Sequence, residues 1–243
     1  MPKGEPVAAK PTAPTKPRET LAYFPLLRSL DAKSIQRLDT QCGWRHRGAK
    51  EWIIEHDEPS ADVYFLTAGS VRALIHASAD RDVILADLQA GQFFGEMAAI
   101  DGKPRSSSIL ALTQSTVASM PASVFRQLLR TEPDVIEQVL QLLVGRVRSL
   151  NQRIHEFSTL HVKQRICAEL LRSSRTDPAT PRQAIISPPP PHAEIAARVS
   201  TGREMVVRQF KALERAGLLT RRRGALVLTD VPRLMQELEK GGD

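Results

Sequence analysis

The sequence predicts an α+β chain: an antiparallel β-roll, one long helix, and a small C-terminal helix-turn-helix unit with a wing. Three observations carry that expectation. Between Glu51 and Met120 the short apolar runs WII, VYFL, VRALI, VILADL, FFGEM, SILAL and TVASM recur, at the spacing of about 8 to 12 residues typical of an antiparallel sandwich or barrel. After Pro133 the apolar period lengthens to a helical seam. Beyond Pro188–Pro191, HAEIAARVSTGREMVVRQF has the spacing of two helices joined by a tight turn.

Residues 1–20 hold five prolines and four lysines or arginines with little that is apolar. Such a composition cannot offset its own ordering entropy, so a disordered arm is expected there. A short helix, Ser29 to Leu38, leads into a β-roll assigned to residues 21–132. Its bends fall on EPSAD, TAGS, SADRD, QAGQ and DGKP, each rich in residues that suit turns. Pro133 fits a helix's first turn, and apolar residues follow at Ile136, Leu140, Leu143, Val147, Leu150, Ile154 and Phe157. Steps of four and three make a narrow seam that pairs with a second copy, so residues 133–158 are read as a dimerisation helix.

The last unit, residues 159–243, opens with a helix at about Val162 to Ser173 and continues through the polar, proline-rich TDPATPRQAIISPPPP. Four consecutive prolines lack backbone donors and cannot extend a helix, so a new element starts near His192. Ile195, Val199 and Val206 face inward, and Ala196 is small where the two helices cross. A two-stranded wing is expected to close the unit.

Whole-chain properties narrow the function. The chain has 243 residues and a formal charge of +7, an excess that favours an anionic partner. Cys42 and Cys167 lie far apart, which supports neither a disulfide framework nor an iron–sulfur or zinc cluster. No metal is assigned. No apolar run approaches the roughly 18 residues that cross a bilayer, and the N-terminus lacks a signal core, so a cytoplasmic protein without a membrane partner is expected. A hydrolase would need a metal cluster or a paired acid and base, and neither spacing occurs. The reading is therefore not an enzyme, with no catalytic residues.

Chemistry concentrates in FFGEMAAIDGKPRSSS, Phe93 to Ser108. An ionised Glu96 can accept from sugar hydroxyls, and Arg105 can grip a phosphodiester with its fork. Gly95, Met97 and Ala98 can bring backbone N–H groups close to a ligand, with Phe94, Ser106 and Ser107 flanking. The bland alternative is a surface Glu96–Arg105 salt bridge, worth little.

This stretch resembles the phosphate-binding cassette of cyclic-nucleotide-binding domains, and VYFLTAGSVR matches the strand, turn, Gly and strand before it. The resemblance implies Glu96 on the ribose 2′-hydroxyl and Arg105 with Ser106 on the cyclic phosphate. Aligning LHVKQRICAELL with the corresponding helix of the bacterial members implies base contacts from Leu150 and Asn151. The ligand implied is cAMP, with cGMP as a second candidate, because Leu150 stands where a hydroxyl is common. The C-terminal segment resembles the helix-turn-helix of Crp/Fnr regulators, whose R-E-x-x-x-R reappears as Arg203, Glu204 and Arg208. That implies a homodimer on double-stranded DNA with TGTGA-like half-sites, with RNA polymerase as a further partner. Gly202 and Lys211 complete the DNA-facing set, and Arg221, Arg222 and Arg223 are placed on phosphates from the wing. A haem or gas sensor of the same fold is the nearest rival, since His46, His56 and His76 lie in the sensor half. Two departures stand out: Ser200 replaces the usual turn glycine, and Gln209 stands where an apolar residue is common.

Overall fold

The structure, a computed structural model, describes residues 19–78, 81–177 and 180–239, so all but the end of the expected N-terminal arm lies outside the described residues. A 3₁₀ turn, Pro25–Leu27, precedes helix α1, Ala32–Gln41. The helix starts three residues after Ser29 because Asp31 caps it, its carboxylate accepting from the Ser34 amide at 2.6 Å. Strands β1 (Gly43–Arg47), β2 (Trp52–Ile54), β3 (Val63–Ala68), β4 (Ser70–Ser78), β5 (Arg81–Gln89) and β6 (Phe93–Phe94) follow. Next come helix α2 (Glu96–Asp101), strands β7 (Ser108–Ala111) and β8 (Ser115–Met120), and helix α3 (Ala122–Thr131). The strands form two antiparallel sheets, in the orders β1-β8-β3-β6 and β2-β7-β4-β5.

β3 shows why the run VYFL is apolar without a break. Side chains alternate across a strand, so Tyr64 and Leu66 point into the core between the sheets with Ile54, Val71, Phe94 and Val117. Val63 and Phe65 point the other way, onto a second core with Phe24, Phe93, Phe125 and Val135. Both faces are covered, hence no polar residue alternates in.

The long helix α4, Pro133–Thr159, rests its first half on that second core through Val135 and Val139, with Leu142 and Leu143 against it. This corrects one position of the expected seam. Leu143 turns inward, and Val144 (51% exposed) faces out between Leu140 and Val147. The helix keeps a 3.6-residue period on its own domain, which a strict heptad cannot match over several turns.

The C-terminal unit comprises α5 (Val162–Ser173), β9 (Arg175–Asp177), β10 (Thr180–Ile186), α6 (His192–Arg198), α7 (Arg203–Arg215), β11 (Leu219–Arg222), β12 (Ala225–Leu228) and α8 (Val231–Glu239). Its sheet is larger than the expected two-stranded wing: the order is β11-β12-β10-β9. TPRQAII is a strand, with Ala184 and Ile186 buried and registered against Leu228 and Leu226. The surrounding prolines and charges hide those two core positions.

Ile195, Ala196, Val199, Val206 and Phe210 are buried in one cluster, as the helix-turn-helix spacing requires. Ser200, in the turn, adopts φ 51°, a left-handed conformation that disfavours a Cβ. Ser200→Gly is expected to stabilise the C-terminal unit by about 1 kcal/mol, read as a higher midpoint in thermal or urea unfolding. An unchanged or lower midpoint would mean that the serine is unstrained.

Candidate functional site

β5 and β6 deliver the chain to Gly95, whose φ of 84° ends the strand and starts α2. A Cβ there would lie 2.7 Å from Arg105 Nη1 and 2.9 Å from the Asp62 carbonyl oxygen. Glycine is therefore required on two counts, conformation and space. The next residue, Glu96, is 1% exposed. Its Oε1 accepts from Arg146 of α4, which also reaches the Phe93 carbonyl at 3.5 Å. Its Oε2 is buried and has no hydrogen-bond partner among the described residues.

Arg105 lies on the other side of Gly95. Gly102, with φ 71°, ends α2 and turns the chain back so that Arg105 enters the same place at 3% exposure. Nε donates to Ser60 Oγ at 2.9 Å, Nη1 to the Gly95 carbonyl at 3.0 Å and Nη2 to the Asp62 carbonyl at 2.9 Å. Tyr64, stacked on Phe94, holds its ring 5.7 Å from the guanidinium carbon. Three of five N–H groups are used, which leaves one on each terminal nitrogen.

Among the described residues, no carboxylate lies within ion-pair distance of Arg105. Glu96 pairs with Arg146 instead, so the expected alternative of a surface Glu96–Arg105 salt bridge does not occur. Burial pushes the Arg105 pKa down, opposed by the nearby Tyr64, Glu58, Asp62 and Glu96. A buried cation held only by neutral acceptors is costly until an anion arrives.

The other expected residues divide. Phe94 and Ala98 are buried beneath the site, Ser107 is half-buried, and Met97 and Ser106 are exposed, with the Ser106 hydroxyl donating to Met97 Sδ at 3.6 Å. Leu150 and Asn151 are exposed on α4. Leu150 falls four residues after Arg146 and three before Arg153, so all three share one helix face. Arg153 donates to the carbonyls of Ile84 and Leu85 at 3.0 and 3.2 Å, which keeps that face on the β-roll. Asn151 lies one step round, toward Val147 and Ile154.

Sequence reasoning missed Ser60, Asp62, Tyr64 and Arg146. Arg146 had a signal, one turn before Leu150 on the same face. Asp62 had none, because a backbone acceptor leaves no mark on residue type, and Ser60, which accepts through its hydroxyl, lies 45 residues from Arg105 in a loop where serine is ordinary.

The second surface is α7. Gly202 precedes it, and Arg203, Glu204, Arg208 and Lys211 are exposed while Val206, Phe210 and Leu213 are buried behind them. Gln209 is half-buried, its amide 3.6 Å from Cys167 Sγ on α5, so the polar departure faces another helix. The wing arginines differ among themselves. Arg222 and Arg223 are exposed beside Gly224, whereas Arg221 pairs with Glu214 at 2.8 Å and lies over the Phe210 ring at 5.7 Å. Arg221 thus serves packing as well as charge.

Both cysteines are buried and free, and burial raises their thiol pKa, for Cys42 to about 12. Neither is poised for reaction. Among the described residues, no His, Cys, Asp and Glu cluster could hold a metal ion, and no helix is long and apolar enough to cross a membrane.

A β-roll with a buried guanidinium, joined by a long helix to a helix-turn-helix with an exposed charged face, is the layout of a ligand-binding transcription regulator. Comparison with known proteins agrees. Residues 44–132 match the cyclic nucleotide-binding domain family and residues 164–237 the Crp-like helix-turn-helix domain family. The chain is 28% identical over 173 residues to the cAMP-activated global transcriptional regulator CRP of Salmonella typhimurium, covering 71% of this chain and 82% of that protein. Among solved structures, the c-di-GMP responsive global regulator CLP of Xanthomonas campestris superposes with a TM-score of 0.69 at 25% identity, over 82% of this chain and 99% of that one. A CooA mutant from Carboxydothermus hydrogenoformans shares the fold, with a TM-score of 0.74 at 18% identity, over 88% of this chain and 94% of that one. The chain belongs to the Crp/Fnr family. It is a cyclic-nucleotide-binding transcription regulator, not an enzyme.

Proposed function

We propose that a homodimer of this chain binds cAMP, with cGMP as a second ligand, and in that state reads palindromic DNA with TGTGA-like half-sites. The observation that carries the reading is Arg105, a buried guanidinium with two spare N–H groups and no ion-pair partner among the described residues. One such cation suits one cyclic phosphate. Glu96 fits the ribose: Oε2 is a buried acceptor without a donor among the described residues, and Arg146 orients the carboxylate through Oε1. Leu150 supplies an apolar face to the base from the same subunit, and Asn151 supplies an amide donor and acceptor from the second. Cyclic nucleotide provides the anion and hydroxyls; the chain provides their partners.

DNA binding would follow by population shift. Ligand joining Glu96 and Arg105 of one subunit to Asn151 of the other favours the arrangement with recognition helices one DNA turn, about 34 Å, apart. A tenfold gain in DNA affinity needs only about 1.4 kcal/mol of differential ligand affinity. The exposed Arg203, Glu204 and Arg208 then address base edges, and Lys211, Arg222 and Arg223 address phosphates. RNA polymerase is the downstream partner and the cytoplasm the compartment in this reading.

Calorimetric titration with cAMP, cGMP and cyclic di-GMP side by side, with gel shifts on TGTGA-containing DNA, tests it. The expected result is one site per subunit for a cyclic mononucleotide and a DNA shift that needs it. Asn151→Ala is expected to weaken both ligand binding and DNA response by about tenfold, the loss of one good hydrogen-bonded contact. Tighter binding of cyclic di-GMP, or equal DNA affinity with and without ligand, would overturn the reading.

A further inference from the structure

The β-roll and the DNA-reading unit meet across a charged contact. Arg72 of β4 forks onto Asp87 of β5, its cross-strand neighbour, at 2.7 and 2.9 Å. Arg72 also reaches Glu194 of α6 at 2.7 Å, and Arg198 of α6 pairs with Asp87 and with Glu194, the latter at 3.0 Å. Two arginines and two carboxylates thus close a neutral ring over the domain boundary, with side chains only 13% to 24% exposed. Arg153 of α4 extends it, donating to the Arg198 carbonyl at 3.2 Å as well as to Ile84 and Leu85 of β5.

Three features give this ring a role beyond adhesion. First, its members lie next to the ligand residues along the chain: β5 runs through β6 into Gly95 and Glu96, and Arg153 lies two turns beyond Arg146 on α4. Second, it grips α6, the first helix of the helix-turn-helix, and leaves Arg203, Glu204 and Arg208 of α7 exposed. The contact therefore orients the reading face without covering it. Third, it is ionic rather than apolar. Such a contact fixes geometry through paired charges, since a mismatched charge is penalised far more than a lost apolar contact.

We propose that Arg72 and Asp87 of the β-roll, with Glu194 and Arg198 of α6, are positioning residues that set the orientation of the helix-turn-helix for DNA. The ring is the mechanical link by which the β-roll governs DNA affinity. This rests on α7 being the reading helix.

Charge reversal tests it: Asp87→Arg, Arg198→Asp, and the two combined, which restores two charges of each sign. DNA affinity is read by fluorescence anisotropy on a duplex with inverted TGTGA elements, at saturating cAMP. The distance between domains is read by electron spin resonance from labels at Gln114→Cys and Gln236→Cys, both exposed, in subunits diluted with unlabelled protein. Each reversal alone is expected to lower DNA affinity about tenfold or more and to broaden the distance distribution, and the double variant to recover to within about threefold, as coupled partners do in a double-mutant cycle. Asp87 is on the β-roll, so its effect cannot come from a lost DNA contact. Thermal melts check folding, and Asp87→Asn, which removes one charge without adding another, serves if the reversal unfolds. Single reversals without effect, or a double variant whose loss is the sum of the two, would overturn the ring. Arg208→Ala separates the two assignments. If it abolishes DNA binding while label distances ignore the reversals, the ring fails alone. If it leaves DNA affinity unchanged, the reading helix is misassigned and the ring's role in DNA reading falls with it.

Discussion

Replacing Arg105 by leucine is expected to lower cyclic-nucleotide affinity by about a hundredfold or more, because truncating a buried, hydrogen-bonded charge pair costs about 2–5 kcal/mol and each 1.4 kcal/mol is tenfold. The fold should survive. Leucine removes a cation that has no ion-pair partner among the described residues, which offsets part of the loss of its bonds to Ser60, Gly95 and Asp62. Two carbonyls lose their donor, at a cost of about 1–3 kcal/mol each where water cannot replace it, so a lower melting temperature is expected with an intact dimer. Arg105→Lys separates charge from shape. Lysine keeps the positive charge but presents no fork and cannot reach three acceptors at once, so it should recover only part of the affinity. Calorimetry showing unchanged affinity in Arg105→Leu would remove the phosphate assignment.

How much was legible in the sequence depended on what each residue type is used for. FGE and PRSS were readable because the site uses side-chain chemistry and a glycine that nothing else can replace. Gly95 at φ 84°, with a Cβ blocked at 2.7 Å, shows the physical basis of that signal. The partners of Arg105 were not readable, since two are backbone carbonyls. The apolar runs announced most strands of the β-roll, but β1, GWRHR, reads as polar because only one of its faces packs, and it lies at the edge of its sheet. β10 was hidden between prolines for a similar reason. The inter-domain ring could not have been found from spacing: Arg72 and Asp87 are 15 residues apart, Asp87 and Arg198 are 111 apart, and only folding makes them neighbours.

Introducing Val147→Glu together with Ile154→Glu is expected to turn a dimer into monomers and to lower affinity for a two-half-site duplex by about a hundredfold or more, because the second half-site no longer binds as part of one molecule. α4 spans about 40 Å. Along its outer face Ile136, Leu140, Val144, Val147 and Ile154, with Leu150 and Phe157 at the edge nearer Arg146 and Arg153, are between 39% and 63% exposed. A stripe of that length on one helix is more apolar surface than a lone chain normally shows to water, and a second copy is the partner of matching pattern. Burying such a side chain is worth about 1.5–3 kcal/mol, so the stripe and its copy can supply a stable interface after the cost of association. In a symmetric pair of parallel helices, residue 147 faces its own counterpart, and the same holds for 154. Two glutamates per helix therefore place four like charges in one seam, each desolvated without a partner at several kcal/mol. Val147→Ile and Ile154→Leu keep the apolar character and should stay dimeric, which excludes a general packing defect. Light scattering gives the result directly. A double-glutamate variant that remains a dimer would mean that the stripe is covered by something other than its copy, and the bridge from Asn151 to the neighbouring subunit's Glu96 and Arg105 would lose its basis.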